Sequence, residues 1–233
     1  MKNKKQKGNK FEIKTCRRFS KWFSNGERDD LFWHTSGSGA TATNQMRNKS
    51  FAMANSCGDM CYLDAIGKPL CELALFEFKS GYTEKIKKDK NGKLKKTTGK
   101  KISITDLLDS KNRKNEPLLI EWIRKAQNES KKHNRKHSII VFARDRRSGC
   151  IVFHQNTWDM LSENNGRHFI HPHDGVICFI NYKDLNLVVL KLNDFFAWCH
   201  PKAFFEKINR IPRRKYKTGK YSGKNIKKLK GDL

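Results

Sequence analysis

The sequence predicts a sheet domain of the α/β or α+β class, with helices packed on the sheet. Apolar runs of strand length alternate with amphipathic segments of helical length along most of the chain. Their order is helix, strand, strand pair, helix and strand, followed by further strands and helices. With 233 residues, of which 36% are hydrophobic, the chain is long enough to bury one good-sized core.

Residues 10–25 are predicted to form the first helix, because apolar side chains recur on one helical face. They are Phe11, Cys16, Phe19, Trp22 and Phe23. The pair Asn25-Gly26 ends this helix, since both residues tolerate the left-handed conformation found after helix ends. A short strand follows at 31–35, and the small polar residues that begin the segment 36–58 predict a mobile loop.

Two apolar runs, 59–63 and 70–80, are predicted to form a β-hairpin. The segment between them, DAIGKP, has the composition of a turn. A Lys-rich insertion then occupies 82–101, and its Asn91-Gly92 pair favours a two-residue hairpin turn.

The second half of the chain alternates helices with strands. Helices are predicted at 103–109, 116–133, 156–163 and 194–208, and strands at 138–144, 150–154, 176–182 and 187–192. The chain is therefore divided into a core at 7–155 that includes the insertion, an elaboration of the same domain at 156–210, and a basic tail at 211–233. The tail has no hydrophobic period and is expected to stay disordered until it meets phosphate.

The charge is strongly unbalanced: 50 Lys and Arg face 23 Asp and Glu, for a net charge of +27. Such a chain repels itself unless a polyanion is present, so nucleic acid is the expected partner. An anionic membrane surface is the competing partner, but no basic amphipathic helix of the required kind supports it. The Lys-rich insertion is either a solvated excursion or an arm that tracks DNA.

No secretory signal is recognisable, and no run approaches the roughly 20 apolar residues of a membrane span. The seven cysteines are odd in number and irregularly spaced, which favours reduced thiols. We therefore expect a cytoplasmic or nucleoid-associated protein, or a phage protein in the cytoplasm of its host.

The stretch LFEFKSG places two charges inside an apolar strand. Side chains alternate between the two faces of a strand, so Phe76 and Phe78 share one face while Glu77 and Lys79 share the other. Along the strand, Glu77 and Lys79 are roughly 6–7 Å apart. A carboxylate that is partly buried there needs a partner, either Lys79 or a divalent cation.

The position of Asp59 makes a divalent cation the better partner for Glu77. Asp59 begins the first strand of the predicted hairpin, while Glu77 lies near the end of the second. The two carboxylates then meet at one edge of the sheet and repel each other unless a cation lies between them. Oxygen ligands of this kind favour Mg²⁺ or Mn²⁺. Carboxylates more than about 8 Å apart could not share one such ion at ~2.1 Å per ligand.

One series of residues resembles the signature of the PD-(D/E)xK nuclease superfamily. It consists of Gly58-Asp59, a predicted strand pair and then Glu77-Phe78-Lys79. Gly58 replaces the usual Pro, a departure of small consequence because the Asp carries the chemistry. KGNKFE at 7–12 and SGSG at 36–39 make the chain similar to the archaeal-type Holliday-junction resolvases of that superfamily. The likeness in the order of elements extends over roughly 7–142, whereas the Lys-rich insertion and the residues beyond about 153 have no counterpart.

The resemblance implies a restriction-endonuclease-like α/β fold: a central mixed β-sheet flanked by helices, here with additional C-terminal β/α elements. It implies that Glu12, Asp59 and Glu77 hold one or two Mg²⁺ or Mn²⁺ ions. Lys79 would orient the attacking water or help to deprotonate it, and would stabilise the developing charge. The implied substrate is DNA, branched or duplex, cut to 5′-phosphate and 3′-hydroxyl ends by a two-fold homodimer.

Further residues are predicted to contact DNA. The resemblance implies that a Ser of the glycine loop, Ser36 or Ser38, lies near the site, where His34 replaces a basic residue usual before the loop. Related nucleases often carry a Gln at the position of Gln127, although an ordinary exposed helix Gln is an equally good interpretation. The remaining predicted DNA-binding residues are Arg47, Lys49, Arg144, Arg146 and Arg147.

Other functions stay open. The chain could be a phage- or restriction-type nuclease with another DNA target, or a non-catalytic nucleic-acid-binding protein whose acidic cluster is structural. His168, His171 and His173 have an HxxHxH spacing that could bind zinc, but they lie in a polar loop where exposed His is common. Cys57, Cys61 and Cys71 lack paired CxxC spacing and are expected to pack rather than bind zinc.

Overall fold

A computed structural model describes residues 4–35, 57–81, 85–88, 94–97, 102, 116–144, 147–165 and 175–207. The helices are α1 (Lys4–Phe23), α2 (Lys68–Leu73), α3 (Leu118–Lys132), α4 (Gln155–Asn164) and α5 (Leu192–Trp198). The strands are β1 (Phe32–His34), β2 (Met60–Tyr62), β3 (Ala74–Ser80), β4 (Lys85–Lys88), β5 (Leu94–Thr97), β6 (His137–Ala143), β7 (Cys150–His154), β8 (Ile177–Tyr182) and β9 (Leu185–Lys191). Short 3₁₀ turns occupy Ala65–Gly67 and Pro201–Phe204.

Five strands form the central sheet in the order β3-β6-β7-β9-β8. β3 and β6 are parallel, with Glu77 opposite Ile140, and the other neighbouring pairs are antiparallel. The prediction of an α/β fold with a mixed sheet flanked by helices is therefore confirmed. The C-terminal strands β8 and β9 extend this same sheet, and β3 is one of its edges.

Helices cover both faces of the sheet. On one face, a cluster that includes Phe76, Ile139 and Phe153 packs against α1, α4 and α5. On the other face, Leu75, Ile140 and Val152 pack against the apolar side of α3. The alternation predicted for β3 is confirmed, because Phe76 and Phe78 lie in the first cluster and Leu75 in the second.

The predicted hairpin between 59–63 and 70–80 is wrong. β2 pairs antiparallel with β1, with Trp33 opposite Cys61, and the chain then turns into α2 before β3 begins. The Asp64 side chain accepts a hydrogen bond from the Ile66 N–H, and Pro69 lies in the first turn of α2. Aspartate and proline at these positions also begin helices, so the DAIGKP segment starts a 3₁₀ turn and a helix instead of a hairpin turn.

The last predicted helix, 194–208, is also wrong in its extent. It ends at Trp198, and Pro201 begins a separate 3₁₀ turn. Proline has no backbone N–H and its ring clashes with the preceding turn of a helix, so a helix cannot run through Pro201.

Other predictions agree with the structure or lie outside it. The helices predicted at 116–133 and 156–163 correspond to α3 and α4. β4 and β5 pair antiparallel on either side of residues 89–93. These five residues lie outside the described part of the chain, as do the predicted helix 103–109, most of the loop 36–58 and the tail. Within the described ranges, no helix combines the length and apolar character that crossing a membrane requires.

Thiol chemistry plays no part in holding this fold together. All seven cysteines lie among the described residues, and none forms a disulfide. Burial raises the pKa of Cys57 to about 11, and it also raises the pKa of Cys61. Cys57 and Cys71 are buried and Cys61 lies at the border of the interior, as predicted. Cys57 and Cys61 are poor nucleophiles because their thiolates are disfavoured.

The glycine at position 58 is required by a close approach to β3. Its φ angle is 75°, and a Cβ added there would lie 2.5 Å from the carbonyl oxygen of Phe76. We expect Gly58→Ala to lower the free energy of unfolding by about 2–4 kcal/mol, because both backbone strain and a clash with β3 arise. Urea unfolding monitored by circular dichroism measures the loss.

Gly26→Ala is the matched control for this substitution. Gly26 has a φ angle of 95°, but no heavy atom lies within 4 Å of an added Cβ. It should cost only the strain of the left-handed backbone, about 1–2 kcal/mol. Equal losses at the two positions would contradict the importance of the close approach to β3.

Candidate active site

Asp59 lies beside the free edge of β3. Its backbone N–H donates to the carbonyl of Phe76 at 2.7 Å, and its Oδ2 accepts from the Phe78 N–H at 2.7 Å. One residue therefore satisfies two backbone groups that the edge strand would otherwise leave without a strand partner. Asp59 is 4% exposed, so this carboxylate is held deep at the sheet edge.

Thr35 and Gly58 hold the Asp59 segment from the other side. The Thr35 N–H donates to the Asp59 carbonyl at 3.2 Å, and the Thr35 hydroxyl donates to the Gly58 carbonyl at 2.7 Å. Thr35 directly follows β1, and Asp59 directly precedes β2, so the β1–β2 pair positions the carboxylate. The sequence prediction that Asp59 meets β3 is correct, although a different strand pairing brings it there.

Lys79 joins two of the three acidic residues predicted for the site. Its Nζ donates to Glu77 Oε2 and lies 3.5 Å from Asp59 Oδ2. The two acceptor oxygens are therefore no more than about 7 Å apart, since a hydrogen bond spans about 3 Å. This bound meets the roughly 8 Å limit on the two carboxylates, but it is wider than the ~4 Å that separates two oxygens bound to one ion.

Glu12 approaches the same cluster from α1. Its Oε2 lies 3.6 Å from Nδ1 of His34, the last residue of β1. Its pKa responds to Asp59, Lys79 and Glu77, which places its carboxylate in their electrostatic field. Asp59 and Glu77 are thus linked through Lys79, and Glu12 lies within the influence of their charges, so the four residues predicted to be catalytic occupy one region of the structure.

The cluster is acidic, and burial makes that costly. Burial raises the pKa of Glu77, the Asp59 carboxylate raises it further, and Lys79 lowers it. Burial is also the main cause of the raised pKa of Glu12, with contributions of the same sign from Asp59 and Glu77. Three carboxylates thus share a desolvated edge with the ammonium of Lys79, so an added cation would relieve their repulsion.

The groups of the cluster that can bind a divalent cation are carboxylates. Carboxylate oxygens are the ligands that Mg²⁺ and Mn²⁺ prefer, so Asp59, Glu77 and Glu12 fit such an ion in kind. Within the described residues, however, no three His, Cys, Asp or Glu side chains stand close enough to hold a metal ion together. In this structure the Lys79 ammonium supplies the positive charge between Asp59 and Glu77.

The predicted DNA-binding residues are only partly described. Arg144 follows Ala143, which is paired with Ser80, so Arg144 lies at the same end of the sheet as Lys79. Arg147 is exposed in the turn that follows, where its N–H donates to the Arg144 carbonyl at 3.1 Å. Ser36, Ser38, Arg47, Lys49 and Arg146 lie outside the described residues, as does the HxxHxH segment.

Gln127 has a structural partner. Its side-chain amide contacts Nε2 of His154, at the end of β7. The registers place Phe153 level with Ile139 and Phe76, so His154 lies toward the beginning of β3, away from Lys79. The described contacts of Gln127 therefore favour the interpretation of a structural residue over a site residue.

Two residues near the cluster were missed as members of the site. In the sequence, His34 stands out only because it takes the place of a basic residue, but its contact with Glu12 places it at the border of the cluster. Lys125, exposed on α3, lowers the pKa of Glu77 through its charge. Lys125 is an ordinary surface lysine in the sequence, and only the packing of α3 on β3 brings it near Glu77.

Comparisons with protein-family models, with curated proteins and with solved structures found no match for this chain.

Glu12→Gln should stabilise the metal-free protein at about pH 8, where carboxylates are ionised. The folded-state pKa of Glu12 lies above its ordinary value of 4.5, so the folded state binds more protons than the unfolded state between those two values. Wild-type stability therefore falls as the pH rises through that window, and the substitution removes this loss. Below about pH 4.5 the advantage should disappear, because Glu12 is then protonated in both states.

The measurement is urea unfolding in EDTA across this pH range. Glu206→Gln is a suitable control, because Glu206 is exposed and its only described ion pair is the surface contact with Lys202. A Glu12→Gln variant that is no more stable than the control at about pH 8 would argue against repulsion within the cluster.

Proposed function

We propose that this chain is an Mg²⁺- or Mn²⁺-dependent DNA endonuclease of the PD-(D/E)xK type. One observation carries the proposal: Glu12, Asp59, Glu77 and Lys79, which are far apart in sequence, converge at the edge of β3. Structure-specific cleavage of branched DNA, as by Holliday-junction resolvases in recombination or repair, is the form of this activity that the sequence resemblance favours.

The charge distribution supports a polyanionic substrate. The cluster holds three acidic groups against the ammonium of Lys79, whereas the chain as a whole carries a net charge of +27. A basic chain attracts phosphates, and an acidic cluster attracts the cation that phosphodiester hydrolysis uses. Perturbed pKa values at one position are typical of functional sites.

Each residue has a role in the proposed mechanism. Asp59, fixed by the Phe78 N–H, and Glu77 would hold the ion, with Glu12 as a further ligand on the α1 side. When bound, the ion would polarise the scissile phosphate and lower the pKa of an attacking water. Lys79 would release its carboxylate partners and donate to a phosphate oxygen or to the water, stabilising the developing negative charge.

Basic residues next to the site would bind the DNA backbone. Arg144 and Arg147, at the end of the sheet where Lys79 lies, would contact the phosphate backbone next to the site. A two-fold homodimer would match the symmetry of a branched substrate. Action on DNA would place the protein in the cytoplasm or nucleoid, or in the host cytoplasm if it is encoded by a phage.

Mg²⁺ should raise the melting temperature of the wild-type protein but not that of Asp59→Asn. An ion that binds only the folded state stabilises it by about 2.7 kcal/mol at a hundred times its dissociation constant. Asparagine keeps an acceptor for the Phe78 N–H while removing the charge, so the fold should survive. Glu206→Gln should keep the wild-type rise in melting temperature, because Glu206 is exposed and its described ion pair is with Lys202, outside the cluster.

Thermal unfolding in EDTA and in a Mg²⁺ series measures this binding independently of catalysis. Equal shifts in wild type and in Asp59→Asn would mean that the ion binds elsewhere and would contradict the proposed site.

Cleavage should require Mg²⁺ together with Asp59, Glu77 and Lys79. We expect Asp59→Asn, Glu77→Gln and Lys79→Ala each to lower the cleavage rate by about 100-fold or more, because each removes charge stabilisation at the reacting phosphate. The assay compares four-way junction, flap, duplex and single-stranded DNA, with and without Mg²⁺, and Glu206→Gln again serves as the control.

The substrate pattern separates the alternatives. Preference for the four-way junction supports a resolvase, whereas cleavage of plain duplex alone supports a phage- or restriction-type enzyme. If wild type and Asp59→Asn bind DNA but are equally inert on every substrate, the chain is a non-catalytic DNA-binding protein and the proposal fails.

A further inference from the structure

The outward face of α1 carries a row of basic side chains. Lys10, Lys14, Arg17 and Lys21 follow the spacing of one helical face and are all exposed. Together they line one shallow groove of about 480 Å³, along with Ile13, Arg18 and the single acidic residue Asp29. We call Lys10, Lys14, Arg17 and Lys21 the α1 basic row.

The α1 basic row has no acidic ion-pair partner in the part of the chain that the structure describes, since none of its four side chains forms an ion pair there. Arg18 differs from them, because its guanidinium lies 5.0 Å from the ring centroid of Phe196 and donates to Asn193 Oδ1. Arg18 therefore fastens α1 to α5, while the row itself remains available to an anionic partner.

The row faces away from the candidate active site. At 100° per residue, Glu12 lies about 200° around the helix from Lys10, on the opposite side of a cylinder roughly 10–12 Å across. Glu12 points to His34 and the carboxylate cluster, whereas the row lines the groove with Asp29. DNA is stiff on this length scale, so one straight duplex cannot lie on the row and also place a phosphate at Lys79. The row would therefore contact a different DNA segment from the one at the candidate active site.

We propose that the α1 basic row is a second DNA-binding surface that contacts the phosphate backbone of duplex DNA. The row extends over about 16 Å, which matches about five phosphates of one strand. Exposed lysine and arginine side chains suit phosphate contacts that position DNA without reading its sequence. The inference rests on the proposed function only in taking DNA as the partner.

An anionic membrane is a poorer match to this surface. A helix that lies on a membrane inserts an apolar face into the lipid. The apolar residues Cys16 and Phe19 of α1 are fully buried in the core, so they are not available for insertion. Ile13 is the apolar residue that lines the groove with the row, and the exposed side chains of the row itself are all charged, which suits a nucleic-acid backbone better than lipid.

The test measures binding of the full chain to a short DNA duplex in EDTA, by fluorescence anisotropy between about 50 and 200 mM salt. The row variant combines Lys10→Gln, Lys14→Gln, Arg17→Gln and Lys21→Gln. Its matched control combines Lys131→Gln, Lys132→Gln, Lys183→Gln and Lys202→Gln, which are exposed and change the net charge equally. Circular dichroism verifies the fold of both proteins.

We expect the plot of log affinity against log salt to become shallower by about 3 to 4 in the row variant, since each phosphate contact contributes about 0.9. The control should change the slope by less than about 1. A third protein with Lys10→Arg, Lys14→Arg and Lys21→Arg keeps the charges and should retain the wild-type slope. This third protein distinguishes lost phosphate contacts from damage to α1.

A row variant whose slope falls no more than that of the control would overturn the inference. So would a row variant that binds DNA normally but loses binding to vesicles containing phosphatidylserine, because the surface would then serve a membrane. Binding in EDTA does not depend on hydrolysis, so a chain that never cleaves DNA can still confirm this surface. Conversely, loss of the row leaves the cleavage residues in place, and the two proposals can fail separately.

Discussion

The docking of Asp59 onto the free edge of β3 is the interaction on which the candidate site depends. The backbone of Asp59 bonds to Phe76 and its side chain to Phe78, so a single residue completes an edge on which the structure describes no further strand. This arrangement needs the chain to pass very close to β3, and only glycine fits at position 58. The same hydrogen bonds that satisfy the edge therefore also fix a carboxylate next to Glu77 and Lys79.

The sheet edge is also where the layers of the domain meet. α1 contributes Glu12 from the side on which Phe76 and Phe78 pack, and β3 directs Glu77 and Lys79 to the side covered by α3. Asp59 stands between these layers at the edge itself. Burial and mutual repulsion raise the pKa of both glutamates, so the metal-free cluster works against the stability of the fold. A protein gains no stability from such an arrangement, which suits it to binding a cation.

α1 combines three surfaces through the helical period. Its apolar side carries Phe19, whose ring centroid lies 5.1 Å from that of Phe76 and 6.4 Å from that of Phe78. Glu12 meets the carboxylate cluster, and the α1 basic row occupies the solvent side. Because the core fixes the rotation of the helix, it also fixes where the acidic and basic residues point. Packing, the candidate site and the proposed DNA surface are thus set by the same contacts.

The amino-acid sequence predicts a sheet domain with helices packed on it, the alternation of β3 and the meeting of Asp59 with Glu77 and Lys79, and the family resemblance adds Glu12. Period-two and helical patterns are local, and a charged pair inside an apolar strand stands out without any knowledge of the fold. The predicted hairpin was wrong because DAIGKP suits a turn and a helix start equally well, and the partner of β2 was set by contacts with the distant β1. Tertiary packing alone sets the backbone contact of Asp59 with β3 and brings His34 and Lys125 to the border of the cluster. Those contacts join segments far apart in the chain, and no local pattern encodes which of them will meet.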